Sequence, residues 1–449
     1  MPRELQAAIA LARPALRYTC GVKIALVSGS AGDARCGVGD YACELAQHLA
    51  LDAEVHLYFD KQHGPARPPF EKLTSLTLHP LGGFSLLGVR GLAAKLRDAA
   101  YDIVHIQYPS KGYGTSVGPG FLPQQLAGMQ SRSRILLTLH EWSTSHPLRR
   151  MVTEQMLPHI DALVVSSEQE MQALQPKLGS RPTFVLPVGN VLASRAELEA
   201  VWQAAAGQPA AQLPPPRSPF VGVTHGSPSS VAGSGDGPVA VSAGGTAAAA
   251  TQKMGDLSVA STQRVPYSLF HYGLPAKGKG FERLLGALQI VREAGLPAVL
   301  HLGGDFSPGD KLTEELLALI TEHGVADAVE RLGHVPQLEL PTAAERCWLG
   351  VFPFDEGFSS KRSSVASISL LDLPLAVGAG SSEQHPYYAP PQNTAADLAV
   401  LITELFTGRL AEEWAAQVTR QREYARRFSF GQLAAQYLDI YRRLRQVDA

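Results

Sequence analysis

Short apolar runs recur along the first 190 residues, and stretches with helical spacing separate them. The run KIALVS at 23–28 leads through a glycine-containing turn into YACELAQHLA, where Leu45 and Leu49 recur at helical spacing. Near-continuous apolar strands that alternate with helices are typical of a parallel sheet covered on both faces. Similar runs lie at 55–59, 102–107, 135–140, 162–167 and 183–187.

The sequence between residues 204 and 262 interrupts this pattern, because Ala, Gly, Ser, Pro and Thr predominate there. Its charged residues are Arg217, Asp236, Lys253 and Asp256. Such a segment cannot bury enough apolar surface to offset its chain entropy, so we predict a low-complexity disordered insertion. It would separate an amino-terminal domain, residues 1–203, from a carboxyl-terminal domain, residues 265–425.

A second series of strand and helix patterns follows the insertion. The tail from Leu410 to Val447 is helical by composition, and we expect residues 426–449 to pack back toward the amino-terminal domain. The chain is therefore predicted to be an α/β protein with two doubly wound Rossmann-like domains that face each other across a cleft. The second series has strand patterns at 268–273, 298–304, 348–354 and 374–380, and helical patterns at 281–294, 311–323 and 364–371.

Charge and cysteine content narrow the function classes. A net charge of −2 over 449 residues gives no sign of a polyanionic partner, so nucleic-acid binding is not expected. The four cysteines form no CxxC pair, which indicates reduced thiols in a cytoplasmic protein. No uncharged apolar run approaches the about 20 residues that span a bilayer, so membrane contact would be peripheral at most, at the inner face of a membrane.

Two glycine-containing motifs follow predicted strands, at the edge where doubly wound domains bind ligands. In CGVGDY at 36–41, Gly37 and Gly39 allow backbone amides to approach an anion at a helix start, although the motif could be only a tight turn. In the second domain, Lys277 and Lys279 precede a helix and could neutralise a diphosphate, although loop lysines are often merely solvated.

Two further candidates also follow strands. The segment PFDEGFSSKRSS at 353–364 offers the Glu356 carboxylate, the cation Arg362 and serines at a helix start, where they could cap the helix or hold a phosphate. His140 ends the fourth predicted strand and would point into the cleft, or it could be a structural histidine.

These motifs resemble glycosyltransferase family 4, whose members have the GT-B fold and use nucleotide sugars with retention of anomeric configuration. The resemblance covers nearly the whole chain apart from the insertion. It implies that the turn at 332–336 holds the donor base through backbone groups and that His140 lies near the sugar. Besides His140, the donor-binding residues it implies are Gly37, Val38, Gly39, Asp40, Lys279, Gly280, His334 and Val335, and Lys277 is a further candidate because its charge lies beside the helix start.

The family's two glutamates, separated by seven residues, are only half present. Glu356, Gly357 and Phe358 match the first half, which holds sugar hydroxyls, whereas the second glutamate, which holds the ribose, falls on Ser364. Some members resemble this chain in having an Arg-x-Ser stretch there, so we expect Arg362, Ser363 and Ser364 to rebuild the site. Arg362 would then replace an arginine of the family whose position here holds Leu274.

The resemblance implies a hexosyl transfer catalysed by His140, Glu356, Lys279 and Arg362. The sequence contains no Asp-x-Asp pair, so we expect a metal-independent reaction without a cofactor, in which cations stabilise the leaving diphosphate. The acceptor would be a glycan, a lipid-linked sugar or a small molecule.

Three alternatives stay open at this point. The chain could be a degenerate GT-B protein that only binds a nucleotide sugar or a partner, as Ser364 in place of the second glutamate would indicate. It could also be another GT-B enzyme, such as a nucleotide-sugar epimerase or a phosphorylase. An oxidoreductase is the weakest alternative, because the first turn lacks a third glycine and only Asp60 could hold a ribose at the end of strand two.

Overall fold

The computed structural model describes residues 21–32, 36–64, 73–143, 145–190, 267–335, 339–381 and 383–446. The predicted insertion at 204–262 lies outside these residues. The described chain contains one seven-stranded and one five-stranded parallel sheet, each covered by helices. This confirms the predicted α/β fold with two doubly wound sheets.

The strands of the amino-terminal sheet follow the order β3-β2-β1-β4-β5-β6-β7, and all neighbours are parallel. The sequence pattern did not predict β3, because this strand lies at the sheet edge, alternates in exposure and contains Pro80. An edge position tolerates a proline that cannot donate to the ladder. The strands are β1 (Lys23–Val27), β2 (Glu54–Asp60), β3 (Leu76–Leu81), β4 (Ile103–Tyr108), β5 (Arg134–Leu139), β6 (Ala162–Val165) and β7 (Thr183–Val185).

Among the described residues, five α-helices of the amino-terminal domain itself cover this sheet, and side chains satisfy free amides at several of their starts. Ser85 Oγ accepts from Gly88 N at 3.2 Å, and Ser167 Oγ accepts from Glu170 N at 3.3 Å. Such caps fix where each helix begins after its loop. The helices are α1 (Gly37–Leu49), α2 (Leu86–Asp98), α3 (Leu122–Gly128), α4 (Pro147–Met156) and α5 (Glu168–Leu178).

The carboxyl-terminal sheet has the order β10-β9-β8-β11-β12 and is also wholly parallel. Its strands are β8 (Ser268–Tyr272), β9 (Val299–Gly303), β10 (Val329–Gly333), β11 (Leu349–Phe352) and β12 (Leu375–Val377). Its helices are α6 (Phe281–Glu293), α7 (Lys311–Glu322), α8 (Leu340–Ala344), α9 (Ser363–Ile368), α10 (Ala395–Glu404) and α11 (Leu410–Arg426), with a π-helical turn at Leu405–Arg409.

The helical tail consists of two helices. Helix α11 packs its buried Trp414 into the core of the carboxyl-terminal domain, whereas α12 (Phe430–Gln446) packs into the core of the amino-terminal domain. The chain crosses between them at residues 427–429, where Asn190 N donates to Phe428 O at 2.7 Å. The last helix therefore ties the two domains together. No helix among the described residues is long and apolar enough to cross a membrane.

Candidate active site

A cavity of about 470 Å³ lies between the two domains, beside the carboxyl ends of their strands. Both domains contribute to its lining, and Phe430 of α12 completes it. Six residues predicted from the sequence line this cavity: Gly37, Val38, Asp40, His140, Glu356 and Arg362. The lining does not include other predicted residues that the structure describes, namely Gly39, Lys277, Lys279, Gly280, His334, Val335, Gly357, Phe358 and Ser364.

The start of α1 faces the cavity through its backbone. A side chain at Gly37 would meet open space, whereas a Cβ at Gly39 would lie 2.8 Å from the Cβ of Ser30. Gly39 therefore serves the close packing of α1, and its amide is already used because it donates to Cys36 Sγ at 3.4 Å. The amides around Gly37, at the positive end of the helix dipole, are the part of this motif that an anion can approach.

His140 belongs to a buried chain of hydrogen bonds that reaches the last helix. Its Nε2 donates to Gln107 Oε1 at 2.8 Å, and Gln107 Nε2 donates to His105 Nε2 at 2.9 Å. His105 Nδ1 in turn contacts the Tyr441 hydroxyl at 2.7 Å. Burial lowers the pKa of His140 to about 4. At neutral pH this histidine is therefore an uncharged hydrogen-bonding group with its proton fixed on Nε2.

Two cations lie against the ring of Phe354, next to the predicted sugar-binding loop. The Arg362 guanidinium carbon is 4.4 Å from the ring centroid and the Lys279 Nζ is 5.1 Å from it. Arg362 reaches the cavity, and its buried Nε has no hydrogen-bond partner within the described chain. Burial, followed by the charge of Arg362, lowers the pKa of Lys279 to about 8. Lys277 is exposed and outside the cavity.

Two glycines of the second domain allow neighbouring loops to pack closely against each other. Gly280 has φ +71°, and a Cβ there would lie 1.8 Å from Pro353 O. Gly357 has φ +70°, and a Cβ there would lie 2.5 Å from Ser381 N. Both positions therefore require glycine for close backbone approach. Phe358 is 1% exposed and packs edge-on against Tyr387, so its side chain belongs to the core.

The remaining predicted residues lie at the margin of the cavity or away from it. Ser364 is half-buried in the first turn of α9, and Ser367 of the same helix lines the cavity instead. The side chain of Ser363 lies outside the described part of the structure. His334 is exposed after β10, while Val335 is buried and its carbonyl accepts from Tyr272 OH at 3.3 Å.

An ion pair that the sequence did not predict crosses the cavity. Lys361 Nζ donates to Glu170 Oε1 at 2.5 Å, and the Glu170 side chain is only 1% exposed. This carboxylate also accepts from the backbone amides of Trp142 and Ser143 and from Ser143 Oγ. Burial raises the pKa of Glu170, but the interactions with Lys361 and Ser143 more than offset it and lower the pKa overall.

Replacing Lys361 with Met should lower the thermal midpoint, because it removes the charged partner of the buried Glu170 carboxylate. We expect a loss of about 1.5 to 3 kcal/mol at pH 7. As a control, Lys311→Met removes a lysine that is 86% exposed and should change stability by less than about 0.5 kcal/mol. Thermal melts of both variants and the wild type measure the difference.

The ion pair between Lys361 and Glu170 should also make the stability difference between the wild type and Lys361→Met depend on pH. Because the pKa of Glu170 is lowered in the folded state, its contribution is present above its unfolded pKa of about 4.3 and is lost as pH falls through the folded value. The difference in thermal midpoint between the wild type and Lys361→Met should therefore become smaller below about pH 4. Equal midpoints at pH 7 would show that the pair does not stabilise the interface.

The comparisons with known proteins agree with this arrangement. Residues 36–190 match a family model described as "Glycosyl transferase 4-like domain". We found no curated protein whose sequence matches the chain.

Similar solved structures cover nearly the whole chain. A sucrose-phosphate synthase from Thermosynechococcus elongatus has a TM-score of 0.64 and 17% identity, over 94% of this chain and 99% of that one. HepE from Anabaena, in complex with UDP-glucose, has a TM-score of 0.56 and 13% identity, over 93% of this chain and 99% of that one. The catalytic domain of starch synthase IV from Arabidopsis thaliana, bound to ADP and acarbose, has a TM-score of 0.58 and 12% identity, over 95% and 100%.

At these identities the structural likeness establishes the fold, and it confirms the predicted GT-B architecture. The family match assigns residues 36–190, in the amino-terminal domain, to the glycosyl transferase 4-like domains. The chain therefore has the GT-B fold, and its residues 36–190 match a glycosyl transferase 4-like domain.

Proposed function

We propose that the protein transfers a sugar from a nucleoside-diphosphate sugar to an acceptor hydroxyl, with retention of configuration and without a metal ion. The observation that carries this proposal is the meeting of three groups at one cavity: the free helix start at Gly37, the Arg362 guanidinium and the Glu356 carboxylate. The relatives solved with UDP-glucose or with ADP support a nucleoside diphosphate as the carrier of the sugar.

In this reaction the bond between the sugar C1 and the diphosphate oxygen breaks, and the acceptor oxygen forms a new bond to C1. Negative charge develops on the departing diphosphate, where Arg362, Lys279 and the start of α1 stabilise it. The acceptor proton passes to the departing phosphate oxygen on the same face of the sugar, which retains the configuration. Glu356 accepts hydrogen bonds from sugar hydroxyls and orients the donor.

His140 contributes as a neutral group in this proposal. With a pKa of about 4, it carries almost no positive charge at pH 7 and cannot act as a strong general acid there. Its role is to hold a sugar hydroxyl through a hydrogen bond. A metal is not required, because fixed cations occupy the place where charge develops and the sequence has no Asp-x-Asp pair.

A thermal-shift screen with UDP, ADP and GDP, each with EDTA and with Mg²⁺, tests this proposal. At least one diphosphate should raise the midpoint, since saturation at 100 times the dissociation constant stabilises by about 2.7 kcal/mol, and EDTA should not reduce the shift. Release of free sugar or product from the corresponding nucleotide sugar then separates an enzyme from a protein that only binds. If none of the diphosphates binds, the proposal is wrong.

A further inference from the structure

Two cations in the amino-terminal half of the cavity are not explained by the donor chemistry. Lys111 lies in the loop after β4, and Arg149 lies in the first turn of α4; both line the cavity. Neither side chain forms an ion pair with any other residue that the structure describes. Lys111 is exposed and Arg149 is half-buried, so both charges can reach a ligand.

The position of Arg149 is unfavourable for the helix that carries it. A positive charge in the first turn opposes the helix dipole, so nothing local favours an arginine there. The adjacent Arg150 has a structural role, because its Nε donates to Trp142 O at 3.2 Å and its Nη2 donates to Ser143 O at 2.5 Å. The Arg149 side chain makes no such contact within the described chain. Arg149 lines the cavity, whereas Arg150 does not.

The two cations lie on either side of one short loop. Burial raises the pKa of Tyr108 to about 12, and the charge of Arg149 acts against this shift, so Arg149 lies close to the end of β4. Lys111 follows three residues later, and its backbone amide donates to Cys36 Sγ at 3.3 Å. The loop at 108–111 therefore has one cation on the α4 side and one beside the start of α1.

The carboxylates of this half of the cavity do not cancel these charges. Glu170 is already paired with Lys361 across the cleft, and Asp40 lies in the first turn of α1, where it complements the positive end of the helix dipole. Glu141 lines the same cavity, is exposed and forms no ion pair with a described residue, so its single negative charge opposes only one of the two positive charges. A ligand that contacts both Lys111 and Arg149 thus meets an excess of positive charge.

We propose that this half of the cavity binds an acceptor that carries an anionic group, a phosphate monoester or a carboxylate, close to the hydroxyl that receives the sugar. The planar guanidinium of Arg149 suits two-point contact with either group, and Lys111 adds a point charge. This inference rests on the proposed function, because it assigns Arg362, Glu356 and the start of α1 to the donor and leaves Lys111 and Arg149 for the acceptor.

The test uses the full chain saturated with UDP, so that the anion cannot enter the donor site. Calorimetry then compares glucose 6-phosphate, fructose 6-phosphate and inositol 1-phosphate, together with glucuronate, against glucose, fructose and inositol. At least one anionic compound should bind about 10- to 100-fold more tightly than its neutral parent. A preference for the phosphates over glucuronate assigns the site to phosphate monoesters, and the reverse assigns it to carboxylates.

Lys111→Ala and Arg149→Ala should each weaken binding of that compound by about 10- to 100-fold and leave UDP affinity unchanged. Arg132→Ala is the matched control, since Arg132 is an exposed arginine outside this cavity, and it should change neither affinity. Equal binding of anionic and neutral compounds, or full binding in both variants, overturns the inference. So does a loss of UDP affinity in Lys111→Ala, which would place Lys111 in the donor site.

The failure of the proposed function has a different signature. In that case the unliganded wild type binds no nucleoside diphosphate, and calorimetry with UDP alone detects this before any acceptor is added. If UDP binds but no anionic compound does, the donor proposal stands and the anionic acceptor is wrong.

Discussion

Replacing Arg362 with Ala should reduce the turnover rate about 100- to 1000-fold while the protein stays folded. The guanidinium reaches the cavity, and its buried Nε has no hydrogen-bond partner in the described chain, so it is not committed to holding the fold. Burial lowers the pKa of Arg362, and the nearby charge of Glu356 opposes this shift, which places the cation beside the predicted sugar-binding carboxylate. A contact that strengthens as charge develops on the leaving group affects turnover more than donor binding.

Steady-state kinetics with the nucleotide sugar identified by the binding screen measure this effect. Arg362→Lys keeps the charge but loses the planar fork, so it should recover part of the rate. Ser364→Ala is the control within the same stretch, because Ser364 does not line the cavity, and it should leave the turnover rate unchanged. A turnover rate for Arg362→Ala within about threefold of the wild type would remove this residue from the chemistry.

Replacing Lys279 with Ala should weaken UDP binding by about 10- to 100-fold, whereas Lys277→Ala should change it little. Lys279 lies beside Arg362 against Phe354, while Lys277 is exposed and outside the cavity. Lys279 does not itself line the cavity, so its charge acts on the diphosphate at longer range than that of Arg362.

The lowered pKa of Lys279 gives this prediction a second readout. Lys279 is mostly protonated at pH 7 and loses its proton as pH rises through about 8, so wild-type UDP affinity should fall between pH 7 and pH 9. The diphosphate of UDP does not titrate there, because its last proton leaves at about pH 6. Lys279→Ala should lack this pH dependence, and Lys277→Ala should keep it. Identical pH profiles in all three proteins would contradict the assignment.

The two doubly wound sheets could be predicted from the sequence because each central strand is a short apolar run. The run at 23–28 became β1 (Lys23–Val27), and the run at 298–304 became β9 (Val299–Gly303). Edge strand β3 was missed, since a half-exposed strand with a proline has no continuous apolar signal.

Part of the candidate site could also be predicted, because residues that follow parallel strands meet at one edge of a sheet. His140 and Gly37 reach the cavity in this way, and Glu356 reaches it from the second sheet. Lys111 and Arg149 were missed, since a single cation in a loop or a first helical turn has no distinguishing pattern in the sequence.

The sequence by itself determined the two sheets, the strand ends that carry the motifs and the glycines that allow close backbone approach. Only the tertiary structure decided which charges meet. The pairing of Lys361 with Glu170, 191 residues away, and the burial that lowers the pKa of Lys279 both depend on how the domains and loops pack. The physical reason is that local patterns encode burial and backbone preference over a few residues, whereas charge partners and desolvation are set by contacts between distant parts of the chain.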